Sequence, residues 1–375
     1  MVTVIALVAV TGAYLTIRPS GGPIGELEIS RDRVPPPVAA VTDFSWPPPR
    51  PGTWRPLPPA PLASRVNYSV VWTGREMIVW GGFDAANRPQ LDGAAFDPVE
   101  GTWQPLPFTA ARDASNVGVA VGSHVVFASS TETRRYYPAE RRWRAGPVVP
   151  LPPGHGLSDR LVTVGETVVA ISEPSDREQP PAAFTLAPDA AEWSRAPDVP
   201  VTMTAAHAVI PIDGQILVVG PPRDGDDAAV VLDITDPRWR PVAPPPALPH
   251  DLVSLAGVTG DGTLLLWGVR ADGDVGTQGY AALRDRDGWR RINPGPLRPT
   301  RAVTVLWTGE RMLVWNRVDN VGAMFDPHTD QWTDIPSPPI VGLDLARDAV
   351  WTGSGLLVWG ALGTGGAMYT PQEAS

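Results

Sequence analysis

The side chains best suited to chemistry in this 375-residue chain are six basic groups: Arg65, Arg112, His155, His250, Arg301 and Arg347. Several guanidinium groups converging on one point would hold a carboxylate or sulfate, because arginine presents a planar two-donor fork. Five carboxylates, Asp84, Asp113, Asp251, Asp344 and Asp348, lie close to them in sequence. A pair of these about 5–10 Å apart would suit glycoside cleavage. The histidines, His124, His155, His207, His250 and His328, show no metal-ligand spacing. The run RDGDD, Arg223 to Asp227, lacks the spacing of a calcium loop and reads as solvated. No phosphate-binding glycine loop, nucleophile elbow or catalytic triad is present. We therefore expect no metal, no cofactor and no catalytic residue, with the six basic groups as the candidate ligand-binding set.

Composition narrows the classes further. Glycine (37) and proline (45) are abundant and charged residues make up only 19%. That balance suits many short strands and turns rather than long helices. Cysteine is absent, which excludes disulfides, thiolate nucleophiles and sulfur-ligated metals. All thirty basic residues are arginine, and the net charge of -10 argues against nucleic acid as a partner.

The first seventeen residues, MVTVIALVAVTGAYLTI, are apolar and uncharged. They read as a transmembrane anchor or an uncleaved signal segment, the competing reading being a signal peptide cleaved at Ala13, which would make the protein secreted. Arg18 just beyond them weakly opposes an exported C-terminus. An apolar start nevertheless has no place in the repeats that follow, so export is the expectation. Residues 18–49, with VPPPVAAV and WPPPRPG, read as a proline-rich, semi-rigid tether.

The elements that must position the candidate groups are set by a repeat. Tryptophans open TWRPLP (Trp54), TWQPLP (Trp103) and RWRAGP (Trp143), and recur at Trp193, Trp239, Trp289 and Trp332. The intervals of 49, 40, 50, 46, 50 and 43 residues match four-stranded propeller blades. Each interval carries a glycine turn, at Gly74, Gly122, Gly165, Gly214, Gly260, Gly309 and Gly353, followed by an apolar strand such as EMIVW or RMLVW. A large apolar residue then precedes the tryptophan by seven, as Phe96 does Trp103; the fifth interval has Ala282 there. Such pairs can meet across one hairpin.

This grammar of glycine turn, apolar strand, Gly-Gly, aromatic and tryptophan resembles the kelch repeat, in degenerate form, over roughly residues 50–371. Only Gly81-Gly82 preserves the doublet, and elsewhere it is eroded, for instance to Trp315-Asn316. The chain ends on a third strand, GGAMYTP, while GTWRPLP at Trp54 is a fourth strand with no first three strands before it. The expected fold is an all-β, seven-bladed propeller over residues 50–375, closed by an N-terminal strand that completes the last blade.

The resemblance also implies a face. The approaches to the first strands, which carry the six basic residues, and the loops joining second and third strands should surround the channel mouth. An arginine at that place in kelch repeats often bonds neighbouring backbone, which is the alternative to a ligand role. Copper oxidases similar to galactose oxidase are excluded, since their cofactor needs a cysteine. Asp97 to Trp103 only grazes a sialidase aspartate box. The expectation is a non-catalytic, membrane-tethered, extracytoplasmic module binding an unidentified protein or envelope glycan. The alternative is a carbohydrate-acting enzyme, a glycan hydrolase or sugar epimerase, at the channel mouth.

Overall fold

The computed structural model describes residues 46–114, 117–176, 179–204, 206–222, 227–272, 276–339, 349–360 and 365–372. The apolar start, nearly all of the tether, the RDGD stretch at 223–226, Arg347, Asp344 and Asp348 lie outside the described residues. The chain divides into a unit of residues 1–37 and a second unit, Val38–Ser375. Among the described residues of the second unit all regular structure is β, in seven four-stranded sheets. The fold is a seven-bladed propeller.

The first blade runs Ser69–Trp72, Met77–Trp80, Gly93–Asp97 and Thr102–Pro105, each strand antiparallel to the last. Its second and third strands are buried along their whole length. Inner strands such as Val303–Trp307 are only half-buried, because one edge faces the central channel. This explains why the second strands read as unbroken apolar runs: both of their faces meet a neighbouring blade. Inner strands touch their neighbours around the whole ring, Ala349–Trp351 against Ser69–Trp72 included.

The ring closes as the two chain ends implied. Thr53–Pro56 pairs antiparallel with Gly366–Thr370, placing Trp54 opposite Tyr369. Flanking bonds from Gly52 N–H to the Thr370 carbonyl and from Leu57 N–H to the Gly366 carbonyl, both 2.8 Å, extend the ladder. Closure removes the free sheet edge that would template aggregation.

The repeated phrase VWTGREMIVW is an inner hairpin. Thr73 N–H donates to the Glu76 carbonyl (3.0 Å), and Glu76 N–H donates to the Thr73 hydroxyl (2.9 Å). Thr308 with Arg311 and Thr352 with Gly355 repeat both bonds. The next residue is glycine because φ is 92°, 105° and 93° at Gly74, Gly309 and Gly353, the left-handed region.

Two sequence expectations change. The fifth inner turn is made by Asp261 and Gly262, both at positive φ, and Gly260 is already paired with Thr263. A Cβ at Gly260 would lie 2.1 Å from the Trp307 indole nitrogen, so that glycine serves a close approach between blades. In the same blade Trp289 stands opposite Arg284, not Ala282. The hairpin from Asp285 to Gly288 is two residues shorter, which moves the partner by two while keeping the same face. Elsewhere the seven-residue spacing does bring the rings together, as Phe96–Trp103 (5.1 Å), Tyr136–Trp143 (4.9 Å) and Phe325–Trp332 (5.2 Å).

The outer tryptophans also latch blade to blade. Trp103 Nε1 donates to the Pro58 carbonyl, Trp143 to Pro107, Trp193 to Pro147 and Trp239 to Pro197, at 2.8–3.0 Å. Trp289 donates to Ala243, Trp332 to Asn293, and Trp54 completes the ring on Pro336 at 2.7 Å. Every acceptor lies four residues beyond the preceding blade's tryptophan. Trp54→Phe keeps the ring but loses the donor, and equilibrium unfolding should show a loss of about 1 kcal/mol.

Candidate functional site

Because strands alternate in direction, the approaches to inner strands and the loops joining second to third strands share one end of every blade. Bonds between blades tie this loop face together. Gly82 N–H donates to the Ala114 carbonyl (3.0 Å), and Leu157 N–H donates to the Ser130 hydroxyl (3.0 Å).

Arg65 does not present its guanidinium to solvent. Its side chain is 0% exposed and pairs with the Asp92 carboxylate at 2.8 Å. It also donates to the carbonyls of Ala63 (3.0 Å), Gly81 (3.2 Å) and Asp92 (3.1 Å). One side chain thereby pins both ends of the Gly82–Gly93 loop to the strand approach. The backbone-bonding role implied by the kelch resemblance is the one seen, and Arg65 leaves the candidate ligand set.

The remaining candidates divide. His155 is half-buried, with Nδ1 2.8 Å from the Ser172 hydroxyl and Nε2 3.2 Å from the Gln179 side-chain oxygen. Ser172 in turn accepts the Ala182 N–H (2.8 Å), so the histidine joins the strand approach to the facing loop. Arg112, His250 and Arg301 are exposed. They stand on the approaches to the second, fifth and sixth blades, the last two of which are neighbours.

The described carboxylates are engaged. Asp84 accepts the N–H groups of Ala86 and Arg88 (both 2.9 Å) and pairs with the Arg88 side chain (2.7 Å). The Arg88 backbone N–H is the main cause holding Asp84 below the usual carboxylate range. Asp113 accepts the Thr131 hydroxyl (2.9 Å). Asp251 receives both Nε and Nη2 of Arg270 at 3.0 Å, and those bonds hold its carboxyl low.

Sequence reasoning missed the pairs that order this face. Arg298 grips Asp319 through Nε (2.9 Å) and Nη2 (2.6 Å), which lowers the carboxyl and raises the guanidinium. Asn316, fully buried, donates to Asp319 (2.8 Å) and to the Arg298 carbonyl (3.1 Å). The signal was there: in Trp315-Asn316 asparagine follows the strand tryptophan, where the first repeat has Gly81. Glu132 likewise takes the N–H groups of both Arg112 and Asp113 (3.0 Å each) and pairs with Arg134 (3.0 Å).

Fold and site together define a seven-bladed β-propeller with a polar loop face on which, among the described residues, Arg65, Arg270 and Arg298 are paired with Asp92, Asp251 and Asp319. The solved structure of YjhT matches it with a TM-score of 0.51 at 13% identity, covering 74% of this chain and 99% of that one. At that identity the likeness shows the fold alone. No family model matches the chain, and no curated protein does.

Arg65→Ala should strand three loop carbonyls and lose on the order of 3 kcal/mol in denaturant unfolding, whereas Arg112→Ala and Arg301→Ala should stay within about 0.5 kcal/mol. The ion pairs set an acid response as well. Asp251 and Asp319 have folded values below the ordinary 3.8. Their stabilisation is complete above that value and is lost as pH falls through the folded ones. The stability gap between the parent chain and Asp319→Asn should therefore narrow on acidification below 3.8, followed by thermal unfolding.

Proposed function

We propose that this propeller is a non-catalytic binding module that engages a protein or glycan through its loop face, held outside the cytoplasm by the apolar N-terminal segment. The observation that carries the reading is the state of the carboxylates. A glycosidic acid must be held protonated near neutral pH by a raised value. Asp84 and Asp251 are pulled the other way, by backbone N–H groups and by Arg270. Two carboxylates so engaged are suited to recognition rather than to donating a proton.

The tether reading draws support from where the chain meets the propeller. Trp46 donates to the Pro98 carbonyl (3.1 Å) and meets Phe96 edge-on (5.4 Å). Arg55 lies over the Trp46 ring at 4.0 Å and donates to the Pro47 carbonyl (2.9 Å). Pro98 belongs to the turn between third and fourth strands, at the end opposite the loop face.

The test is capture from envelope extracts and a glycan panel by the full chain, compared with a triple variant, Arg112, His250 and Arg301 each to Ala. A retained partner that the variant loses is the expected result. Turnover of any offered glycan by the parent chain would overturn the non-catalytic reading.

A further inference from the structure

The second blade carries a concentration of positive charge unlike the rest of this acidic chain. RRYYPAERRWR holds five arginines between Arg134 and Arg144. Its strands Thr133–Tyr137 and Arg142–Gly146 pair so that Arg135 stands directly opposite Arg144, and Tyr137 opposite Arg142. Like charges in direct cross-strand register repel one another.

Arg135 is the unusual member. Only 9% of it is exposed, its Nε is buried without a partner, and its one bond runs from Nη2 to the Ala190 carbonyl of the third blade (2.7 Å). Among the described residues no carboxylate pairs with it. A buried guanidinium without an anion is expensive. The corresponding third-strand positions in the other blades are Ala95, Thr185, Val231, Leu283, Met324 and Met368, all uncharged.

Among the described residues no neighbouring group supplies the missing charge by pairing with Arg135. Arg144 lies over the Tyr137 ring (4.4 Å), with Glu140 3.8 Å away. Glu140 is already closely paired with Arg142. His124 stacks on Tyr137 (ring centroids 5.1 Å apart), and its Nε2 is buried without a partner among the described residues. Burial, then Arg135, lowers its proton affinity; the exposed Asp189 opposes this without pairing with Arg135.

Another seam shows what completes such a site. Arg290, the fifth blade's counterpart of Arg144, is held by both oxygens of Asp330 from the sixth blade, at 3.0 and 2.7 Å. Asp330 stands two residues before Trp332; two residues before Trp193, at the matching place in the third blade, stands Ala191.

We propose that the seam between the second and third blades is an oxyanion site, in which Arg135 and Arg144 hold a carboxylate or sulfate group where Asp330 serves Arg290. The site is distinct from the loop face. It takes one anionic group of a ligand, with Nη2 of Arg135 fixed by the Ala190 carbonyl and Arg144 braced on Tyr137.

Thermal unfolding and calorimetry of the full chain, titrated with sodium sulfate or sodium acetate against sodium chloride at constant ionic strength, test this. The parent chain should show a saturable rise in Tm with sulfate, acetate or both, and whichever acts names the group preferred. Arg135→Met should unfold at a higher temperature in chloride and lose the saturable rise. Arg144→Gln, an exposed change, should leave the chloride Tm nearly unchanged and weaken the anion midpoint about tenfold. Ala191→Asp should supply the anion from within, raising the chloride Tm and abolishing the response. A parent chain with no saturable response to either anion, or a response equal in all four proteins, overturns the proposal.

Discussion

Seven indole N–H groups, one per blade, each reach back to a carbonyl of the preceding interblade segment, and the propeller is a ring through them. Tryptophan suits the task because it is a donor only, with an apolar body large enough to cover a neighbouring strand. Trp143 shows both halves: it bonds the Pro107 carbonyl at 3.0 Å and lies 4.5 Å from Trp80 of the first blade. Most acceptors are carbonyls of proline, a residue that cannot extend a sheet ladder, so they are free to receive a side chain. A single such bond contributes about 0.5–1.5 kcal/mol. Their weight comes from closure, since every blade is latched on both sides.

That frame dictates how charge is handled on the loop face. Within each blade the strand approach and the loop joining second to third strands are held at fixed separation, so arginines and carboxylates find partners at set distances. Arg65 with Asp92, Arg270 with Asp251 and Arg298 with Asp319 each bind a strand approach to the loop beside it. The result is a face rich in ionised groups with much of its charge spent on holding its own shape. Such a surface offers orientation and hydrogen bonding at low reorganisation cost, which favours recognition.

The seam between the second and third blades departs from this economy. Arg290 finds a carboxylate across the fifth and sixth blades, whereas its counterpart Arg144 finds the Tyr137 ring and a Glu140 shared with Arg142, and Arg135 opposite it finds a carbonyl oxygen. Repeats make the contrast legible, because equivalent positions can be compared within one chain and the unbalanced one stands out.

Much of the architecture was readable from spacing. Trp54 without preceding strands and Tyr369 without a following tryptophan required each other, and they pair as neighbours. The Thr-Gly turns were visible because positive φ selects glycine so strongly. Ala282 was misassigned because a two-residue change in hairpin length leaves the alternation of faces intact, and Gly260 because a second glycine, Gly262, stands two residues on and takes the turn.

The role of each arginine was a different matter. Arg65 and Arg112 occupy corresponding places in successive repeats, yet one is sealed against three carbonyls and the other exposed. Linear position determined the blade, the strand and the end of the strand, because these follow from local periodicity. Only the tertiary structure decided which guanidinium was neutralised, since that depends on carboxylates and carbonyls brought within 3 to 4 Å from other loops and other blades, and electrostatic compensation at that range has no local sequence signature.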